Sequence, residues 1–71
     1  MVSNYKIVPY GRLRGLRAER GMKQSDVANI IGISSIAYTL KENGKSDFKA
    51  SEMASIMKLF NASADEIFFN H

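Results

Sequence analysis

The sequence predicts an all-α fold, five short helices packed as one compact domain, and three features of the chain carry that expectation. Gln24 to Ile31 has apolar residues at Val27, Ile30 and Ile31, the i, i+3, i+4 spacing that lays one apolar stripe along a helix. Gly32 follows directly and suits the left-handed conformation that ends a helix. Ser34 then offers a side-chain oxygen to cap a second helix, which runs to about Asn43 and exits through Gly44. Ala50 to Phe60 carries Met53, Ile56, Met57 and Phe60 on one stripe, methionines that read as core filler rather than as ligands. Ser63-Ala64-Asp65-Glu66 is a capping-box pattern that starts a short last helix through about Phe69.

The fifth helix lies at the front. Pro9 suits a first helical turn because its missing N–H is not needed there, so a helix is expected over residues 9–20, with Leu13 and Leu16 toward the core. Gly11 and Gly15 inside it each cost about 1 kcal/mol relative to alanine, so this helix depends on packing more than on propensity. Residues 1–8 show no helical period and read as an extended segment ahead of a domain at residues 9–71. That segment is open to three readings: a minor-groove arm, a strand pairing across a dimer, or a loose tail.

Seventy-one residues make one domain. A chain of this size buries only about 60% of its unfolded surface, so the core has to be compact and a second copy could help stabilise it. With no cysteine, disulfides and cysteine-based zinc sites are excluded, which fits a reducing compartment. No apolar run approaches the ~20 residues of a membrane span and the start lacks a signal-peptide pattern, so a soluble, cytoplasmic protein is expected. The net charge of +3 is unevenly spread. Residues 1–25 hold Lys6, Arg12, Arg14, Arg17, Arg20 and Lys23 against Glu19, whereas residues 46–71 hold Asp47, Glu52, Asp65 and Glu66 against Lys49 and Lys58. A basic half suits a polyanion, because each neutralised phosphate releases counterions.

Two short helices joined by a tight glycine-containing turn form a helix-turn-helix unit, whose second helix can be presented to the major groove of DNA. The run Q-x-x-V-A-x-x-I-G-I-S from Gln24, followed by Y-x-x-K-E-N-G-K from Tyr38, resembles the lambda-repressor-like (Xre/Cro-type) helix-turn-helix family of phage and bacterial regulators. Leu13 to Met22 is similar to that family's first helix, and Met53 to Phe68 to its fourth and fifth. The ordered set Arg17, Gly21, Gln24, Ala28, Gly32, Glu42, Asn43 and Gly44 makes the resemblance specific. It implies a double-stranded DNA operator as partner, a twofold homodimer on half-sites about 34–36 Å apart, and an ion pair between Arg17 and Glu42. Where many relatives have proline the chain has Phe48, which is expected to close its loop by burying an aromatic ring.

The resemblance also implies phosphate contacts from Gln24, Asn43 and Lys45. For base reading the chain allows two rotations of the second motif helix. Periodicity alone gives the stripe Ile33, Ile36, Ala37 and Leu40 to the core. Alignment with the family turns Ile33, Ala37, Tyr38 and Lys41 inward and leaves Ser34, Ser35, Ile36, Thr39 and Leu40 toward DNA. The second rotation is preferred, because Tyr38 is large, Lys41 can bury its stem while its charge reaches solvent, and the Arg17–Glu42 pair requires it.

Two functions from different classes fit this reading. One is a small phage- or prophage-type repressor acting by operator occupancy, and the other is a protein-interaction module of the same fold, an antitoxin or antirepressor. No enzyme is expected. The one histidine, His71, is terminal, the carboxylates read as capping or helix-surface residues, and no glycine loop of phosphate-cradling type exists. Cofactor, metal and small-molecule ligand are accordingly not expected. Ile67, Phe68 and Phe69 are the sequence's source of a dimer surface, with completion of the monomer core as the competing reading.

Overall fold

The computed structural model describes residues 10–69. Five helices follow in chain order: α1 (Gly11–Glu19), α2 (Gln24–Ile31), α3 (Ser35–Glu42), α4 (Ala50–Phe60) and a single turn of the wider π pitch, α5 (Asp65–Phe69). No strand occurs among the described residues. The extended reading of residues 1–8 and the terminal His71 lie outside them. No helix among the described residues is long and apolar enough to cross a membrane.

The helix boundaries follow from backbone chemistry. After α2, Gly32 takes φ 81°, which lets its N–H reach the Asn29 carbonyl (3.3 Å) and the Ile33 N–H reach that of Ala28 (3.0 Å). Two carbonyls that the helix end would leave unpaired are thereby satisfied. Gly44 does the same for α3 at φ 78°, with the Lys45 N–H on the Leu40 carbonyl at 2.9 Å. Ser34 Oγ caps α3 by accepting from the Ala37 N–H at 3.0 Å. The Ser63–Glu66 capping box also forms, each side chain accepting from the other residue's N–H at 3.2 and 2.9 Å.

The core draws on every element: Leu13 from α1, Val27 and Ala28 from α2, Tyr38 from α3, Ile56 and Phe60 from α4, Ile67 and Phe68 from α5. Phe48 from the loop completes it, its ring centroid 5.6 Å from Tyr10, 6.0 Å from Tyr38 and 5.5 Å from Phe68. Each such tilted or edge-on pair adds about 0.5–1.5 kcal/mol beyond the area it buries. The aromatic expected to close the loop is therefore the hub that ties the chain's front to its end. α2 packs on α3 and on α4, while α1 packs on α5.

Three expectations need correction. α1 starts at Gly11, because Tyr10 has ψ 84°, outside the helical range, and instead places its ring against Phe48 and Phe68 and donates its N–H to the Glu42 carbonyl at 2.9 Å. Ile30, assigned to the apolar stripe of α2, is 54% exposed; the buried positions are Val27 and Ala28, with Ile31 at the margin. The stripe Ile33, Ile36, Ala37 and Leu40, which periodicity assigned to the core, splits: Ile33 packs against the core, but Ile36 and Leu40 stand in solvent.

Candidate nucleic-acid interface

The rotation of α3 is set from below by one carboxylate. Glu42, the last residue of α3, has no exposed surface, and its two oxygens are filled from three elements. Arg17 of α1 donates Nε to Oε2 at 2.9 Å and Nη2 to Oε1 at 3.1 Å. Gln24, the first residue of α2, donates Nε2 to Oε1 at 2.9 Å, and Tyr38, one turn back on α3, donates its hydroxyl to Oε2 at 2.7 Å. Burial pushes the Glu42 carboxyl up, but the bonds from Arg17, Gln24 and Tyr38 together outweigh it and hold the group below the usual carboxylate range. The bond to Glu42 raises Arg17, while burial and then the same carboxylate raise the Tyr38 phenol.

A second buried pair fixes the other flank of α3. Lys41 Nζ lies 2.6 Å from Glu52 Oε1 on α4, and that oxygen also accepts the Lys49 N–H that opens α4. Burial raises Glu52, and the bonds from Lys41 and Lys49 more than reverse this. The Lys41 charge does not reach solvent as expected; it is nearly covered and neutralised within the fold. Glu42 and Glu52 are likewise buried, Glu42 as the expected partner of Arg17 and Glu52 as a capping residue of α4, so neither is a helix-surface group.

With Tyr38, Lys41 and Glu42 anchored inward, the opposite side of α3 is left in water. Ile36 is 77% exposed and Leu40 43%, against 0% for Tyr38. Ser34 and Ser35 are exposed at the start of the same helix and Thr39 is half-buried. Exposing isoleucine and leucine on one helix face while a tyrosine is buried on the other is the arrangement the family alignment anticipated. Ser34 and Ser35 also border an open groove lined by Ser25, Asp26, Asn29 and Ile33, between α2 and the motif turn.

The residues assigned to phosphate divide. Lys45 is exposed just past the α3 exit. Asn43 accepts a hydrogen bond from Arg14 Nη2 at its Oδ1, which leaves its amide nitrogen as a donor. Gln24 stands at the start of α2, but its side chain is engaged within the fold, donating to Glu42 and accepting from Thr39 Oγ1 at 3.1 Å. Sequence reasoning missed Arg14, whose Nε also lies 3.8 Å from Glu42 and whose side chain is 45% exposed beside the α3 exit. It had only the cationic residue type as a signal. The basic N-terminal half is smaller as a surface than as a count, since Arg17 is taken by Glu42 and Arg20 caps α4 through the Leu59 carbonyl (3.1 Å) and lies 5.3 Å over the Phe60 ring.

These features define a five-helix domain whose second and third helices form a helix-turn-helix with an exposed face on α3. A family model described as a helix-turn-helix domain matches residues 11–67, and the chain belongs to that family. The fold is similar to the crystal structure of the clp gene regulator ClgR from C. glutamicum, with TM-score 0.67 and 22% sequence identity over 82% of this chain and 75% of that one. Comparison with curated proteins finds no match.

Proposed function

We propose that the protein is a sequence-specific, double-stranded-DNA-binding transcriptional regulator, a small cytoplasmic repressor of the phage or prophage type that occupies an operator as a homodimer. The observation that carries this reading is the outward face of α3, Ile36 at 77% and Leu40 at 43% exposure, on a helix otherwise pinned by two buried ion pairs. Membership of the helix-turn-helix family supports it, as does the fold shared with the clp gene regulator ClgR. Occupancy excludes polymerase or a competing regulator sterically, and no small molecule is needed.

In the major groove, Ile36 and Leu40 press on thymine methyl groups, and Ser34, Ser35 and Thr39 hydrogen-bond to base or backbone. Readout then favours A·T-bearing positions and lacks the bidentate arginine-to-guanine contact. Lys45, the Asn43 amide nitrogen and the first-turn N–H groups of α2 meet phosphate. For Gln24 this transfers most of the contact from side chain to backbone, because its amide is held by Glu42 and Thr39. Phe69, 65% exposed beside the buried Ile67 and Phe68, supplies apolar surface for the second copy.

Selection of bound duplexes from a random pool tests the proposal. The expected product is a twofold-symmetric site with half-sites about 34–36 Å apart. Failure to enrich any sequence above non-specific binding at physiological salt contradicts it, and favours the protein-interaction module instead.

A further inference from the structure

Thr39 lies on the outward side of α3, yet its hydroxyl proton is held within the protein. Oγ1 lies 2.8 Å from the Ser35 carbonyl, one turn back, and 3.1 Å from Gln24 Oε1. A hydroxyl has one proton and two lone pairs, so whichever of these oxygens takes the proton, what remains is acceptor capacity. The Gln24 amide cannot reverse to change this. An ionised carboxylate only accepts, so the buried Glu42 obliges Gln24 to turn its NH2 toward Oε1, and the amide oxygen is left facing Thr39. Glu42 in turn is held ionised by two bonds from Arg17 and one from Tyr38. The polarity of a surface hydroxyl is thus dictated by a charge in the core, through Gln24 as positioning residue.

We infer that Thr39 meets DNA as a hydrogen-bond acceptor and selects the amino-bearing bases, adenine or cytosine, over guanine or thymine at one position of each half-site. In the major groove adenine and cytosine present exocyclic N–H donors, whereas guanine and thymine present only acceptors there. A lone pair on Thr39 is satisfied by the first two and opposed by the others. The inference rests on the proposed placement of α3 in the major groove and goes further by fixing the chemistry of one contact. It replaces the flexible donor-or-acceptor role that a threonine would otherwise have.

The test uses the duplex enriched from the random pool, with the full chain as wild type, Thr39→Val and Thr39→Ser. Wild type should show one position per half-site held to adenine or cytosine, Thr39→Ser should keep it, and Thr39→Val should lose it while other positions stay unchanged. Replacing that base by its analogue without the amino group, purine for adenine or 2-pyrimidinone for cytosine, should weaken wild-type binding roughly threefold to tenfold, the scale of one hydrogen bond. The same replacement should leave Thr39→Val unaffected. Because the analogue experiment can be read on the wild-type protein, it holds even if a variant folds poorly. If the position that relaxes in Thr39→Val is guanine or thymine, or if none relaxes, the inference falls while the regulator reading stands. If no sequence is enriched, both fall.

Discussion

Arg17 holds Glu42 in a two-pronged grip, Nε on one carboxylate oxygen at 2.9 Å and Nη2 on the other at 3.1 Å. It joins the last turn of the first helix to the last residue of the helix proposed to read DNA. Because Glu42 also takes Gln24 and Tyr38, the pair sets the rotation of α3 as well as its attachment. The same network makes the site's geometry depend on the stability of the fold.

Removing the carboxylate alone should therefore be severe. Glu42→Gln strands the Arg17 guanidinium in a largely covered site, and breaking a buried pair from one side costs about 3–5 kcal/mol. Urea unfolding of the two proteins measures it. A paired Arg17→Met, Glu42→Leu change should recover only part of that loss: no charge is left without its partner, but the Tyr38 hydroxyl and the Gln24 amide lose their acceptor.

Acid should unfold the protein through the same groups. The folded-state pKa values of Glu42 and Glu52 are depressed, so the unfolded chain takes up protons first as pH falls. Their stabilisation is fully present above the ordinary glutamate range near pH 4.3 and is lost as pH drops through the folded values. Urea midpoints between pH 7 and pH 3 should decline below about pH 4.5, and the decline should be shallower in Glu42→Gln than in wild type.

Gly15 lies in the interior of α1, exposed, with nothing within 4 Å of where a Cβ would stand. Gly15→Ala should raise stability by about 0.5–1 kcal/mol, through helix propensity and a less flexible unfolded chain. Thermal unfolding checks this, and a lowered midpoint would show that α1 is not continuous through residue 15.

Lys45 tests the phosphate contacts. Lys45→Ala should weaken binding to all duplexes alike and reduce the slope of log affinity against log salt by about one. A shift in which base is preferred would assign Lys45 to base reading instead.

Much of the fold was legible because its punctuation is local. α2 and α4 have the bounds the sequence implied, since glycine, serine and glutamate at helix ends act on neighbouring backbone groups. The rotation of α3 was not legible from period alone: Ile33, Ile36, Ala37 and Leu40 form a better apolar stripe than the one observed, and only tertiary partners for Tyr38 and Glu42 overrule it. The Lys41–Glu52 pair, the Arg14–Asn43 bond and the engagement of Gln24 by Thr39 were invisible for the same reason. Each joins residues at least eleven positions apart whose meeting depends on how helices dock. The placement of Tyr10 outside α1 follows from its aromatic partners, which no local pattern records.

The exposed face of α3 is proposed to read sequence without holding the fold together. This is tested most directly by measuring the affinity of wild type, Leu40→Ala and Ile36→Ala/Leu40→Ala for the selected duplex and a scrambled one, with Leu13→Ala as the core control. Leu40→Ala should stay within about 1 kcal/mol of wild-type stability, whereas Leu13→Ala should lose about 2–5 kcal/mol. The double variant should lose most of its preference for the selected duplex, keeping only the part that Ser34, Ser35 and Thr39 supply, with the wild-type salt slope. A folded double variant with the full wild-type preference for the selected duplex would contradict this and move base reading to other residues.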